Sequence, residues 1–259
     1  HLAPLDDSLE GNNAAVVKAI EEFQGKNFSF KPDGRVDPGG NTIRKLKIAP
    51  KDSFAVIAAV ENILTNLIYG SPIAGVDNII WQAALLRMLH HVNHDKLRRF
   101  DVFTIVDFRK SILEKRLWVV NLDSATALIH VHCAHGSGSG GMNGKPTQFQ
   151  DDTGSHKSNL GGYATLLRAR SGAGHLEKMG LPEKGTSLGI EGLDPTNKKT
   201  RSRQIIFHGA SYVRPDKAPP KVGRSWGCFA THPDDNERIV SRIQDGSFVY
   251  SYAGEDKKP

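Results

Sequence analysis

Apolar residues recur at three- and four-residue spacing over residues 53–69 and again over 76–100. That repeat lets one side of a helix pack while the other meets water, so both stretches are predicted as helices. The most apolar run, 54–69, is interrupted by Glu61, Asn62, Thr65 and Asn66, which marks a buried or amphipathic helix rather than a membrane span. A shorter helical pattern covers 13–23, with Val16, Val17, Ile20 and Phe23 on one side. A turn-rich stretch at 31–40 comes next, then a short helix at 41–46. From Asp101 the texture changes. Residues 102–108, 116–122, 126–133, 163–169, 204–208 and 247–252 read as strands, and Asn121-Leu122-Asp123-Ser124 suits a hairpin turn. Residues 234–244 read as a helix that opens on Pro233-Asp234-Asp235 and closes at Gly246. The expected fold class is α+β: a small helical module at 1–50, a β-rich domain at 101–259, and between them a helical segment at 51–100 that packs on the β-rich domain.

Composition narrows the partners. The net charge of +6 on 259 residues favours polyanionic surroundings. The charge is scattered, however. The densest tract, Lys198-Lys199-Thr200-Arg201-Ser202-Arg203, has no interleaved aromatics, so it reads as a solvated loop and no nucleic-acid partner is expected. The two cysteines, Cys133 and Cys228, allow at most one disulfide and no four-cysteine zinc site. The chain opens on His1 rather than Met, so an export signal is neither shown nor excluded.

His130-Val131-His132-Cys133-Ala134-His135 invites a metal reading. Strand alternation puts His130 and His132 on one face and Cys133 on the other, and no carboxylate completes a familiar motif. These are expected to be strand residues leading into a loop, with no metal and no cofactor. The glycine-rich loop at 136–144 is not a phosphate cradle either. Ser139 stands where the first glycine is needed, and Pro146 follows Lys145 where Ser or Thr is needed. A mobile edge to a cleft is the expectation.

The chemistry concentrates later. His208 falls at the end of the apolar strand Ile205-Ile206-Phe207, and Cys228 sits in a glycine turn after the proline-rich loop at 215–220. A cysteine attacks as thiolate, and an ordinary pKa near ~8.5 leaves little of it at neutral pH without a base beside it. Gly227 would let the amides of Gly227 and Cys228 fold toward a developing oxyanion. On these residues alone, a small buried cysteine and a satisfied core histidine are the favoured reading.

Neighbouring blocks carry a resemblance. His208 followed by Ser225-Trp226-Gly227-Cys228-Phe229 resembles the L,D-transpeptidase signature, a His, a spacer and Ser/Thr-His-Gly-Cys-hydrophobic-Asn. Trp226 replaces the second His, and Ala230 the Asn. The form Gly-Arg-Ser-Trp-Gly-Cys is similar to that of the murein L,D-transpeptidase branch. Further similar blocks are Phe103-Thr104-Ile105-Val106-Asp107-Phe108, Lys115-Arg116-Leu117-Trp118-Val119, Ala134-His135-Gly136-Ser137-Gly138-Ser139-Gly140 and Ser158-Asn159-Leu160-Gly161-Gly162-Tyr163. Together they span roughly 101–253.

The resemblance implies Cys228 as nucleophile, His208 as its base and the carbonyl of Gly209 as the group that orients His208. It implies a donor site lined by Arg224, Ser225, Trp226 and Gly227, with His135 facing it. The implied substrate is the peptidoglycan tetrapeptide stem, cut between meso-diaminopimelate and D-alanine. The acyl-enzyme is resolved by an amine, giving a 3-3 cross-link or an exchanged D-amino acid, or by water, giving an L,D-carboxypeptidase. A cell-wall binding protein on a retired catalytic fold is the remaining class. Phe23-Gln24 and Asp33-Gly34 resemble half of a peptidoglycan-binding repeat, and a plain helical hairpin fits them equally. Residues 32–46 resemble segments of type VI secretion proteins that act on cell walls. A periplasmic workplace is then expected, reached by export or as an antibacterial effector with an immunity protein as partner.

Overall fold

The computed structural model describes residues 53–68, 73–141, 144–170 and 186–254. The helices expected at 13–23 and 41–46 lie outside the described residues, as does the binding-module reading of 1–50. The chain divides into two compact units, His1–Ser71 and Pro72–Pro259. In the first, helix α1 (Ser53–Ile68) follows its apolar repeat. Two residues that interrupt the repeat satisfy each other, since Asn66 Nδ2 donates to Asn62 O at 2.9 Å and to its Oδ1 at 2.8 Å. Among the described residues no helix is long and apolar enough to cross a membrane.

The second unit opens with α2 (Asn78–His91), capped by Asp77, whose Oδ1 accepts from the Ile79 amide at 2.8 Å. The helix stops at His91 instead of running to residue 100. Beyond it the amides of His94 and Leu97 turn back on the carbonyls of His91 and His94, and those of Arg98 and Arg99 bond the Gly246 carbonyl. The apolar spacing past His91 therefore belongs to a tight turn that ties the segment to the loop before the last strand.

Among the described residues ten strands come after the helices. In chain order they are β1 (Val102–Asp107), β2 (Leu117–Asn121), β3 (Thr126–Val131), β4 (Gly161–Arg170), β5 (Thr186–Gly192), β6 (Ile206–Gly209), β7 (Val213–Arg214), β8 (Lys221–Val222), β9 (Phe229–Thr231) and β10 (Phe248–Tyr252). A 3-10 turn, Pro195–Asn197, follows β5, and helix α3, Pro233–Ile243, lies between β9 and β10. Eight strands form one sheet in the order β3-β2-β1-β10-β4-β5-β6-β9, while β7 and β8 pair as a separate hairpin. Within that sheet β1 with β10 and β6 with β9 are parallel, and the other pairs are antiparallel. Every residue of β1 and β10 is buried, as befits central strands covered on both faces. On one face Trp81 of α2 lies 5.7 Å from Phe103 of β1. On the other, Ile239, Val240 and Ile243 of α3 join Val102, Val106, Val119 and Val249 in a continuous core. The fold is α+β, with its β-rich part as expected. β5, β9 and the β7–β8 hairpin are strands that the sequence pattern does not announce.

Candidate active site

The site forms at the sheet edge where β6 and β9 run parallel, in register Phe207↔Phe229, His208↔Ala230 and Gly209↔Thr231. Side chains two apart on a strand share a face, and such diagonal neighbours across a pair lie within reach of a long ring. Cys228 itself lies in the bend that leads into β9, two positions before Ala230, the register partner of His208.

His208 is buried, and its Nδ1 meets Gly209 O at 3.0 Å. A carbonyl only accepts, so Nδ1 carries the hydrogen and Nε2 is the basic nitrogen of the neutral ring. The Gly209 carbonyl thus fixes which ring nitrogen carries the hydrogen. Cys228 is half-buried, with Sγ 3.6 Å from Gln204 O. Burial pushes its thiol up to about 11, against the amides of Ile206 and Cys228 itself and the charge of Arg203; the part left open to solvent tempers that penalty. At such a value the resting sulfur is a thiol. Cys133, fully buried and pushed up to about 12 by burial, is inert by comparison.

The turn that carries Cys228 is braced from within. Ser225, 1% exposed, donates from Oγ to Cys228 O at 2.7 Å and accepts from the Gly227 amide at 3.1 Å. That amide is therefore engaged within the turn. Gly227 has φ +118°, where side chains other than hydrogen are strained, and a Cβ there would stand 2.8 Å from Lys157 O.

Loops hold the turn from outside. Ser225 N donates to His135 O at 2.9 Å and Ser137 N to Ser225 O at 2.8 Å, stitching the glycine-rich loop alongside. Arg224 spends Nη1 on the carbonyls of Ser137 and Gly140, at 3.2 and 2.9 Å. Arg203, the end of the tract expected to be a solvated loop, keeps only 4% of its side chain exposed. It donates to Gln150 O, Asp151 Oδ1, Ser155 Oγ and Lys157 O, pinning the 150–157 segment against the turn. The rest of that tract is mostly exposed, as the pattern predicts.

His135 lies under the glycine-rich loop rather than on the surface. It is fully buried, and Nδ1 accepts from Arg116 Nη2 at 3.0 Å. Burial, reinforced by Arg116, lowers its pKa to about 4. Nε2 faces the carbonyls of Gly140 and Gly141 without reaching hydrogen-bond geometry. Trp226, by contrast, is 61% exposed and stacks on His156, with ring centroids 4.6 Å apart and planes at 5°. Sequence reasoning misses the parts played by Arg116, Arg203 and His156. A charged residue heading the apolar run Leu117-Trp118-Val119-Val120 is the one signal for Arg116.

His130 and His132 bond the carbonyls of Lys115 and Leu113, at 3.2 and 3.0 Å. Among the described residues no group of three or more His, Cys, Asp or Glu could hold a metal ion.

Among solved structures, the chain is similar to an L,D-transpeptidase from Mycobacterium smegmatis, at 13% identity over 59% of each chain with a TM-score of 0.36. One from Mycobacterium tuberculosis matches at 15% identity, over 59% of this chain and 57% of that one, with a TM-score of 0.34. One from Stackebrandtia nassauensis matches at 11% identity over 93% of each chain, with a TM-score of 0.36. The chain spans less than two thirds of the length of the mycobacterial proteins. No curated protein sequence matches it. The model of the L,D-transpeptidase catalytic domain matches residues 74–252, well over half of the sequence, and the chain belongs to that family.

Proposed function

We propose that this domain is a cysteine-dependent peptidoglycan L,D-transpeptidase acting on tetrapeptide stems. The observation that supports the reading is the pairing of β6 with β9, which runs His208 alongside the strand that Cys228 leads into, while Gly209 O fixes the imidazole tautomer. As Sγ attacks the carbonyl carbon between meso-diaminopimelate and D-alanine, His208 Nε2 takes the thiol proton. The C–N bond then breaks, the imidazolium returns its proton to the departing D-alanine amine, and a thioester remains. An incoming amine attacks that thioester, passing its proton through Nε2 to the leaving sulfur, which restores the thiol. Water in place of the amine gives the tripeptide, an L,D-carboxypeptidase reaction. The glycine-rich loop braced by Arg224 and the segment pinned by Arg203 flank the turn, and walls of that kind favour an oriented amine over bulk water.

With peptidoglycan as substrate the workplace is the periplasm. Delivery is either by export or, in keeping with the 32–46 segment, as an antibacterial type VI effector that its producer must neutralise with an immunity protein. The test is mass spectrometry of tetrapeptide muropeptides incubated with the wild type and with Cys228→Ala, with and without excess D-amino acid. Exchanged or cross-linked products from the wild type alone support the reading. Tripeptide alone makes the enzyme a hydrolase, and unchanged masses leave a cell-wall binder.

A further inference from the structure

An exposed tryptophan stands two residues before Cys228. Among the described residues the large apolar side chains left in the open are Ile79, Leu167 and Trp226, and single cases of that kind are ordinary. Trp226 differs because its ring is held. It stacks on His156 with centroids 4.6 Å apart and planes at 5°, yet stays 61% exposed. One indole face therefore rests on the imidazole while the other meets solvent.

The imidazole beneath is fixed by its own backbone. His156 has φ +54°, a left-handed conformation that few residues other than glycine adopt. Gly138 N donates to His156 O at 2.9 Å, and Arg203 donates to Ser155 Oγ and Lys157 O on either side of it. A Cβ at Gly136 would collide with His156 O, so the glycine-rich loop closes directly on this residue. Strain of this sort persists only where the surroundings enforce it, and it gathers at ligand-binding places.

The chemistry of the open face selects its ligand. An aromatic ring is negative over its face and positive at its edge. Two partners suit such a face, a cation or the partly positive C–H groups on the apolar side of a pyranose. Charge decides between them. Lys157 Nζ donates to Gln150 Oε1 at 2.9 Å, and Arg224 Nη1 donates to two carbonyls. Those acceptors are neutral, so both cations keep their charge beside the turn and repel an ammonium, but not a neutral sugar. Reach agrees with this choice. Trp226 and Cys228 are two residues apart, at most about 7 Å along the chain. In a tetrapeptide stem the scissile carbonyl belongs to the third residue, so the sugar lies three residues away, about 10 Å when extended. The length of the indole side chain covers the difference.

We propose that the open face of Trp226, backed by His156, is a saccharide platform. It stacks the N-acetylated amino sugar that bears the stem while the third residue of the stem lies at Cys228. The role rests on the transpeptidase reading above and makes stems still joined to glycan the preferred donors.

Two measurements on the full chain test it. In the first, a neutral N-acetylglucosamine tetramer, free of any stem, is titrated into isotope-labelled protein. The indole N–H resonance of Trp226, assigned by its disappearance in Trp226→Phe, is expected to shift and saturate, while those of the buried Trp81 and Trp118 stay in place. No shift overturns the proposal. A shift with lysine amide but not with the sugar overturns it too, and makes the face a cation site. In the second, D-alanine release is measured from the disaccharide-tetrapeptide and from the free tetrapeptide. The ratio of the two kcat/KM values cancels any general damage to the turn. The wild type is expected to favour the disaccharide form roughly 3- to 10-fold, the contribution of one stacked ring. Trp226→Ala should abolish that preference, and Trp226→Phe should keep most of it. A wild type without the preference, or a preference unchanged in Trp226→Ala, overturns the proposal. If the wild type releases no D-alanine from either substrate, the transpeptidase reading falls, and the saccharide titration alone then decides the platform.

Discussion

Ser225→Ala separates a brace from a substrate contact. In the structure Ser225 Oγ bonds two backbone groups of the turn, donating to Cys228 O at 2.7 Å and accepting from Gly227 N at 3.1 Å. Alanine removes both bonds and leaves a buried amide and carbonyl without partners, at about 1–3 kcal/mol each. Taking the lower half of that range for a turn that can relax, the loss is about 3 kcal/mol. For a domain of this size that lowers the thermal midpoint by about 6–12 °C. The turn that carries Cys228 also loses its clamp, and a displacement of about 1 Å at the reacting atom costs about 10²-fold in rate. Urea unfolding at pH 7 gives the stability, and D-alanine release gives the rate. Alkylation of Cys228 by iodoacetamide adds a reading that no stem-binding pocket influences. The brace predicts that all three change. A variant within about 0.5 kcal/mol of the wild type in stability, alkylated at the same rate but turning over slowly, would refute it and make Ser225 a substrate contact instead.

Cys133→Ala should cost about 1 kcal/mol of stability, because the sulfur fills core space, and should leave D-alanine release intact. A dead, well-folded variant would point to the wrong nucleophile. Because burial raises the Cys228 thiol to about 11, its alkylation rate in the resting enzyme should climb with pH toward that value. A plateau just above pH 8.5 would show an ordinary or lowered thiol. Asp194 feels a burial penalty that alone would raise its pKa. His91, the Gly162 amide and Arg87 outweigh it and hold the carboxyl below its ordinary value. Its contribution is then present above the unfolded-state value near ~4 and is lost as pH falls through the lower folded value. Asp194→Asn should destabilise by about 3 kcal/mol at pH 7 and flatten the acid limb of stability against pH, and an unchanged acid limb would count against the pairing.

Most of the sheet is legible in the sequence because its central strands are long and apolar. β1, β2, β4 and β10 announce themselves, and residues 234–244 carry both a proline start and a glycine stop for α3 (Pro233–Ile243). β5 escapes because Thr186-Ser187-Leu188-Gly189-Ile190-Glu191-Gly192 mixes two glycines with polar residues, a composition that local propensity assigns to a loop. Its strand character comes from β4 and β6 on either side, which is tertiary information. β9 escapes for the same reason at three residues. The pattern overextends α2 because apolar spacing persists into residues whose amides bond elsewhere. For the site, Cys228, His208 and Gly209 are the residues that the family resemblance singles out. Illegible in the motif is which polar residues act on backbone rather than on substrate. Ser225 and Arg224 sit in it and bond carbonyls or amides of the loops, and no spacing rule distinguishes those uses.

That distinction changes the meaning of the chain's positive charge. Three arginines around the turn that carries Cys228 are drawn into the fold. Arg116 donates to Cys133 O, Lys110 O and His135 Nδ1. Arg203 serves four acceptors on the 150–157 segment, and Arg224 bonds two carbonyls of the glycine-rich loop. A guanidinium offers five donors in a rigid fork, which suits it to gathering the carbonyls of an irregular loop. Loops of this kind lack a ladder of their own, and unpaired buried carbonyls are costly. The arginines therefore order segments rich in glycine and serine around Cys228. Reading all of the +6 as attraction to a polyanion counts these groups twice. Any attraction to a polyanion would come from exposed residues such as Lys198, Lys199 and Arg201, while the guanidiniums of Arg116, Arg203 and Arg224 are spent on ordering the loops around Cys228.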